Sequence, residues 1–251
     1  MAFEMDRIIV SNNAQTQEVF DAGLRAHMLR VYNIMASGLA LTGIVSVIVA
    51  QMSMQLDPAG NLVGLTEFGR TLFLSPMKWV VMLAPLGFIM FLSFKVETMS
   101  ASTAQAIFWA FAGVMGISLS TIFITYTGAS IARVFFITAG TFAGMSLYGY
   151  TTQKDLSGWG SFLMMGLIGI IIASVVNIFV GSSALQFAIS VIGVLIFVGL
   201  TAYDTQKIKM EYAENYDHET KSKLAIMGAL RLYLDFINLL VMLLHLFGNR
   251  R

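Results

Sequence analysis

The sequence predicts an all-α membrane protein with seven transmembrane helices. Two observations lead there. Of 251 residues, 57% are hydrophobic and only 12% charged, where soluble domains run near half apolar and about a quarter charged. The apolar residues are also gathered into blocks, and seven of these approach the ~20 residues that a helix needs to cross the hydrocarbon layer. The same composition excludes several function classes. Net charge is +1 and the basic residues are scattered, so no stripe exists to follow phosphates and no nucleic-acid partner is expected. Cysteine is absent, which removes disulfides, thiolate metal sites and cysteine nucleophiles.

Residues 1–30 form a polar tail of mixed charge, and residues 31–251 form a single seven-helix domain. The tail has no apolar core beside a cleavage site, so no cleaved signal peptide is expected. The spans are Val31–Met52, Lys78–Phe94, Ala104–Thr125, Ser130–Tyr150, Trp159–Val180, Ala184–Thr205 and Met227–Phe247. The second contains Pro85, which frees a carbonyl that a neighbour or a water must satisfy. In the fourth, Gly140 and Gly144 stand four apart in "GTFAG", a spacing that lets another helix approach closely. Asn177 in the fifth span is expected to bond across helices as packing glue, with pore lining as the other reading. Arg133 is expected to snorkel. The long connections are Ser53–Met77 and Gln206–Ile226; the second holds His218 and is expected to be solvated. With the N-terminus cytoplasmic, the inside segments hold nine Lys and Arg (Arg7, Arg25, Arg30, Lys95, Lys154, Lys207, Lys209, Lys221, Lys223), against five outside (Arg70, Lys78, Arg133, Arg250, Arg251). That asymmetry favours N-in, C-out, in a bacterial inner membrane.

The last span, "LRLYLDFINLLVMLLHLF", carries Arg231, Asp235, Asn238 and His245. The steps from Arg231 through Asp235, Asn238 and Met242 to His245 are 4, 3, 4 and 3, so all five share one narrow helical sector. An unpaired charge at mid-bilayer costs roughly 2.5–3.5 kcal/mol on insertion scales, so this seam must face protein, water or a partner charge. Such a helix can sit inside a ring made by the other six. A second acid, Asp204, ends a long apolar run in "GLTAYDTQKIK", with Thr201 and Thr205 near its face offering hydroxyl acceptors. Two readings stand for it: a boundary aspartate among headgroups, or the partner of Asp235 across antiparallel neighbours. The second requires a tilt or shift of register to bring the two level. Two carboxyls in a dry site share a proton and titrate as a pair, and their oxygens are of the kind Ca²⁺ prefers. Arg231, one turn from Asp235, is the competing counter-ion.

"AYDTQKI" followed by "ALRLYLDFINLL" resembles the signature of the transmembrane Bax inhibitor motif family, and the likeness extends over nearly the whole chain. It implies six helices wrapped around a central C-terminal helix. It also implies a pH-sensitive Ca²⁺ leak gated by an aspartate pair, which by motif match is Asp204 and Asp235. Bacterial members of that family carry an arginine near the end of the second helix that can pair with the first aspartate. Here that segment reads "FLSFKVETMS", leaving Lys95 as a point charge in its place, Arg231 as a substitute, or Glu97 as a cation ligand at the entrance of the path.

The sequence therefore points to a passive, proton-regulated Ca²⁺ pathway with protons, Ca²⁺ and lipid as its partners and no cofactor. An intramembrane aspartyl protease would need a GxGD around its second acid and a later PAL, and neither occurs. A proton-coupled transporter would show inverted repeats and paired broken helices, which are not apparent. A regulatory membrane protein that works by docking onto partners fits the same seam, and those partners are not named by the sequence.

Overall fold

A computed structural model describes the backbone of residues 2–58 and 62–251 and the side chains of residues 21–58 and 62–251. In chain order the elements are α1 (Ala2–Ser53), β1 (Met54–Leu56), β2 (Leu62–Leu65), α2 (Glu67–Phe73), α3 (Met77–Lys95), α4 (Ala101–Thr125), α5 (Gly128–Thr151), α6 (Ser157–Val180), α7 (Ser183–Glu211) and α8 (His218–Phe247). Seven helices are long and apolar enough to cross a membrane: Asp21–Ser53 within α1, then α3 through α8. Each predicted span falls within one of them. The tail assigned to residues 1–30 enters α1 without a break, and its first 20 side chains lie outside the described residues.

Helix starts and stops have local causes. Ser100 Oγ accepts from Thr103 N at 3.2 Å to open α4, and Ser182 Oγ accepts from Leu185 N at 3.2 Å to open α7. Both occupy the position where a short hydroxyl side chain satisfies an orphan N–H. Gly181 closes α6 at φ 65°, a left-handed backbone that glycine adopts without a Cβ penalty. Pro85 sits inside α3 and cannot donate to Val81 O. The hydroxyl of Ser118 on α4 donates to that carbonyl instead, so the neighbour expected from the sequence is present.

The connection Ser53–Met77 is not a plain loop. Met54 pairs with Leu65 and Gln55 with Gly64 in an antiparallel hairpin. Thr66 then caps α2, its Oγ1 accepting from Gly69 N at 3.1 Å and donating to Met52 O at 2.8 Å. The other long connection is mostly helix. α7 runs on to Glu211 and α8 starts at His218, leaving only residues 212–217 between them.

α8 is the most buried span, with 67% of its apolar window buried against 11–39% in the other six. Its main neighbours are α1, α4, α5 and α7; α3 packs on α4, and α6 on α7. The ring of six expected around it is therefore not what these contacts draw: four helices hold α8 and two lie outside them. Tyr233 is fully buried, with its ring edge-on to Phe108 and Phe111 of α4. Its hydroxyl lies 2.6 Å from Thr42 Oγ1, which itself donates to Ala112 O at 2.8 Å. Tyr233 is then the donor to Thr42, and one polar chain ties α8 to α1 and α4. The close approach expected at Gly140 and Gly144 does not occur there, since a Cβ at either would meet open space. It occurs at Gly149, where a Cβ would collide with the carbonyl oxygen of Ala202 on α7.

Candidate functional site

The seam of α8 faces α7. At one end Gln186 Nε2 lies 3.2 Å from His245 Nδ1. Further along, a Cβ on Gly193 would come 2.9 Å from Met242. Then the carboxyl groups of Asp204 and Asp235 come within hydrogen-bonding reach of each other. At the far end Arg231 grips Glu211 with its Nη1, 3.0 and 2.9 Å from the two carboxylate oxygens. Gln186, Gly193, Asp204 and Glu211 are spaced 7, 11 and 7, which is two, three and two helical turns, so they form a single stripe on α7. Sequence reading singled out only Asp204 from that stripe, although its period was there to be found.

Asp204 stands 7 residues before the end of α7 and Asp235 stands 17 residues after the start of α8, so the two are level only through the shift of register that the sequence called for. Because α7 continues to Glu211 and α8 begins at His218, both acids lie well inside their helices. Asp235 is 5% exposed, and its Oδ2 is fully buried with no donor among the described residues. Asp204 is half-buried. The contact between the two is a hydrogen bond only when the pair holds a proton, because a carboxylate can only accept. Charged groups bearing on Asp204 are Arg231, Lys207 and Glu211. Arg231 does not pair with Asp235, as its position one turn away allowed; its partner is Glu211. That arrangement places a half-buried ion pair beside the aspartates.

Other anticipated groups fall in different places. Thr201 and Thr205 are buried, but their hydroxyls donate to Phe197 O and Thr201 O at 2.7 Å, one turn back on their own helix. Each hydroxyl oxygen keeps lone pairs with which to accept. Thr205 Oγ1 also lies 3.0 Å from Ser146 Oγ, which lies 2.6 Å from the Tyr32 hydroxyl. This polar chain linking α7, α5 and α1 was not read from the sequence, because each member stands alone in its own apolar helix. Asn238 is half-buried on the seam. Lys95 and Glu97 are exposed at the end of α3, where the Glu97 carbonyl accepts from Lys223 Nζ at 3.1 Å. Neither is among the charges bearing on Asp204, so the structure does not bring them into the site. Asn177 bonds across helices, its Nδ2 donating to Gln186 Oε1 at 3.2 Å, while its Oδ1 accepts from Ser182 N at 3.0 Å. It fastens the α6–α7 turn. His218 and Arg133 are exposed.

Chemically, two carboxyls in contact in a water-poor interior cannot both ionise without strong mutual repulsion. A full Ca²⁺ cage takes 6–8 oxygens, and among the described residues no cluster of three or more acidic or imidazole side chains exists.

The model of the family "Inhibitor of apoptosis-promoting Bax1" matches residues 24–251, a range that holds all but the first three residues of the seven spans. An uncharacterised protein of Rickettsia prowazekii is 47% identical over 93% of this chain and 94% of its own length. An uncharacterised protein of Caulobacter vibrioides is 46% identical over 92% and 91%, and the inner membrane protein YbhL of Escherichia coli is 45% identical over 92% and 94%. With a family match that covers nearly the whole bundle and relatives alike from end to end, the chain belongs to the Bax inhibitor-like family of integral membrane proteins.

Proposed function

We propose that this protein is a pH-responsive Ca²⁺ leak of the bacterial inner membrane, with its N-terminus cytoplasmic and Asp204 and Asp235 as its gate. The observation that carries the reading is the buried contact between the two carboxyls, with Asp235 Oδ2 left without a donor among the described residues. With a proton on the pair, the acids bond and hold α7 against α8. Without it they repel, the seam loosens, and the freed oxygens are open to a divalent cation. Protons and Ca²⁺ then compete for the same atoms, and flux rises as the medium becomes less acidic. Arg231 is held by Glu211 at 2.9 Å; its charge bears on Asp204 and is not among those bearing on Asp235. The membrane assignment rests on the seven apolar helices and on YbhL, which is named an inner membrane protein.

The test is downhill Ca²⁺ flux into proteoliposomes, scanned across pH without an imposed proton gradient. The wild type should pass Ca²⁺ with a clear pH response, and Asp235→Asn and Asp204→Asn should each flatten it. Flux only with a gradient would replace the leak by a proton-coupled transporter. No flux at any pH would favour a regulatory protein that docks through its surface. An unchanged pH response in both variants would remove the aspartates as the gate.

A further inference from the structure

A second site lies away from the aspartates, between α1 and α5. A cavity of about 550 Å³ lies between them, lined by Arg25, Met28 and Tyr32 of α1 and by Phe142, Ser146 and Tyr150 of α5. That volume falls in the ~300–1,000 Å³ range of sites built for small molecules. The groove opens sideways: Leu29 and Leu147 on its rim are 54% and 63% exposed, at positions inside membrane spans. An apolar rim of this kind admits an occupant from the bilayer.

The groove is polar and basic at one end and apolar along its length. Arg25 is exposed and has no ion-pair partner among the described residues. At the same end, where α1 starts its span and α5 finishes, Lys209 Nζ donates to Tyr150 O at 2.9 Å and sits 5.3 Å from the centre of that ring. Arg25 is thus the cation that lines the mouth. Inward of it, the Tyr32 and Ser146 hydroxyls satisfy each other at 2.6 Å, so they make no demand on an apolar guest. Arg25 to Tyr32 is two helical turns, roughly 10 Å, which leaves a greasy slot below a positive mouth.

We propose that this groove binds one anionic phospholipid, with its phosphate against Arg25 and one acyl chain lying between α1 and α5. A zwitterionic lipid would gain the same chain contacts without net attraction to Arg25. A neutral hydrocarbon would leave Arg25 unused. The site does not depend on whether the protein conducts ions.

Native mass spectrometry of the full-length protein tests this, after reconstitution in bilayers of equal phosphatidylglycerol and phosphatidylcholine and extraction into mild detergent. The wild type should retain a single phosphatidylglycerol in preference to phosphatidylcholine, and Arg25→Gln should lower that preference about fivefold, the weight of one basic residue near a membrane surface. Ala143→Trp, at an exposed position lining the slot, should abolish retention of both lipids while leaving the thermal melt unchanged. Retention in the bilayer's own ratio would overturn the proposal. So would a preference that Arg25→Gln leaves intact, or a bound lipid that survives Ala143→Trp.

Discussion

α6 and α8 both cross the membrane, yet α6 is the more apolar of the two while only 11% of its apolar window is buried, against 67% for α8. In water the order would be reversed. In a bilayer the tails are as apolar as leucine, so apolarity gives no reason to leave the lipid. What draws a helix inward is a group that lipid cannot satisfy, and α8 carries Arg231, Asp235 and Asn238, whereas α6 carries Asn177 close to its end. α8 is inside because of its polar seam, and its leucines are buried as a consequence. Lipid-facing α6 presents Ile171, Ile172 and Phe179 outward, at 53%, 59% and 84% exposure.

The sharpest way to break that contrast is truncation of matched apolar side chains. Leu239 on α8 is 0% exposed, and Leu239→Ala leaves a hole in a packed core, with an expected loss of about 2–5 kcal/mol. Ile172→Ala on α6 removes atoms that touch only lipid and should stay within about 0.5 kcal/mol. Unfolding of both variants in the same mixed micelles checks this. Equal losses would mean that burial in α8 contributes no packing beyond what lipid provides.

A second contrast lies within α5. Gly149→Ala pushes a methyl into the Ala202 carbonyl, a backbone group that cannot step aside, and should cost about 1–3 kcal/mol. Gly140→Ala meets open space and should be neutral or slightly stabilising, because alanine is the better helix former. Smaller again is Ser118→Ala, which strips the Val81 carbonyl of the donor that replaces the amide missing at Pro85. About 1 kcal/mol is expected. A double variant with Pro85→Ala should recover most of it, since the helix can then satisfy Val81 by itself. Thermal melts of the four proteins decide whether the serine is there for the proline.

These contrasts also mark what was legible in the sequence. Seven spans were, because hydropathy reports the lipid environment directly. The α8 seam was, because steps of 4, 3, 4 and 3 admit one helical face. The partner of Arg231 was not, for a physical reason: hydropathy sees only the part of a helix that sits in hydrocarbon. Glu211 lies beyond that part and read as loop, although α7 carries it on the same stripe as Asp204. The same blindness made Asp204 look terminal. The hairpin was missed because strands of three and four residues hold too few alternations to stand out. Gly140 and Gly144 misled because small residues permit a close approach without specifying that a neighbour takes it up.

The smallest expected effect tests where the buried part of α8 ends. Asp217 precedes its first turn, and its Oδ2 accepts from the amides of Glu219 at 3.0 Å and Thr220 at 3.1 Å. Bonds from the Thr220 hydroxyl and from these amides hold the Asp217 carboxyl below its ordinary range. The folded protein therefore prefers the ionised form. The cap's contribution is complete above the unfolded aspartate value of about 3.9 and fades as the pH falls through the lower folded value. Asp217→Ala should lower the thermal midpoint slightly at neutral pH, and that gap should narrow, without closing, as the pH falls below the ordinary aspartate range. Asp217→Asn keeps a competent capping side chain without the charge, so it should hold most of the neutral-pH stability and lack the acid-dependent part. Because Asp217 is exposed, the whole effect should remain far below that of Leu239→Ala on the same helix. A comparable loss at both positions would mean that α8 unfolds from its first turn as one unit, with its buried seam no more stable than its solvated start.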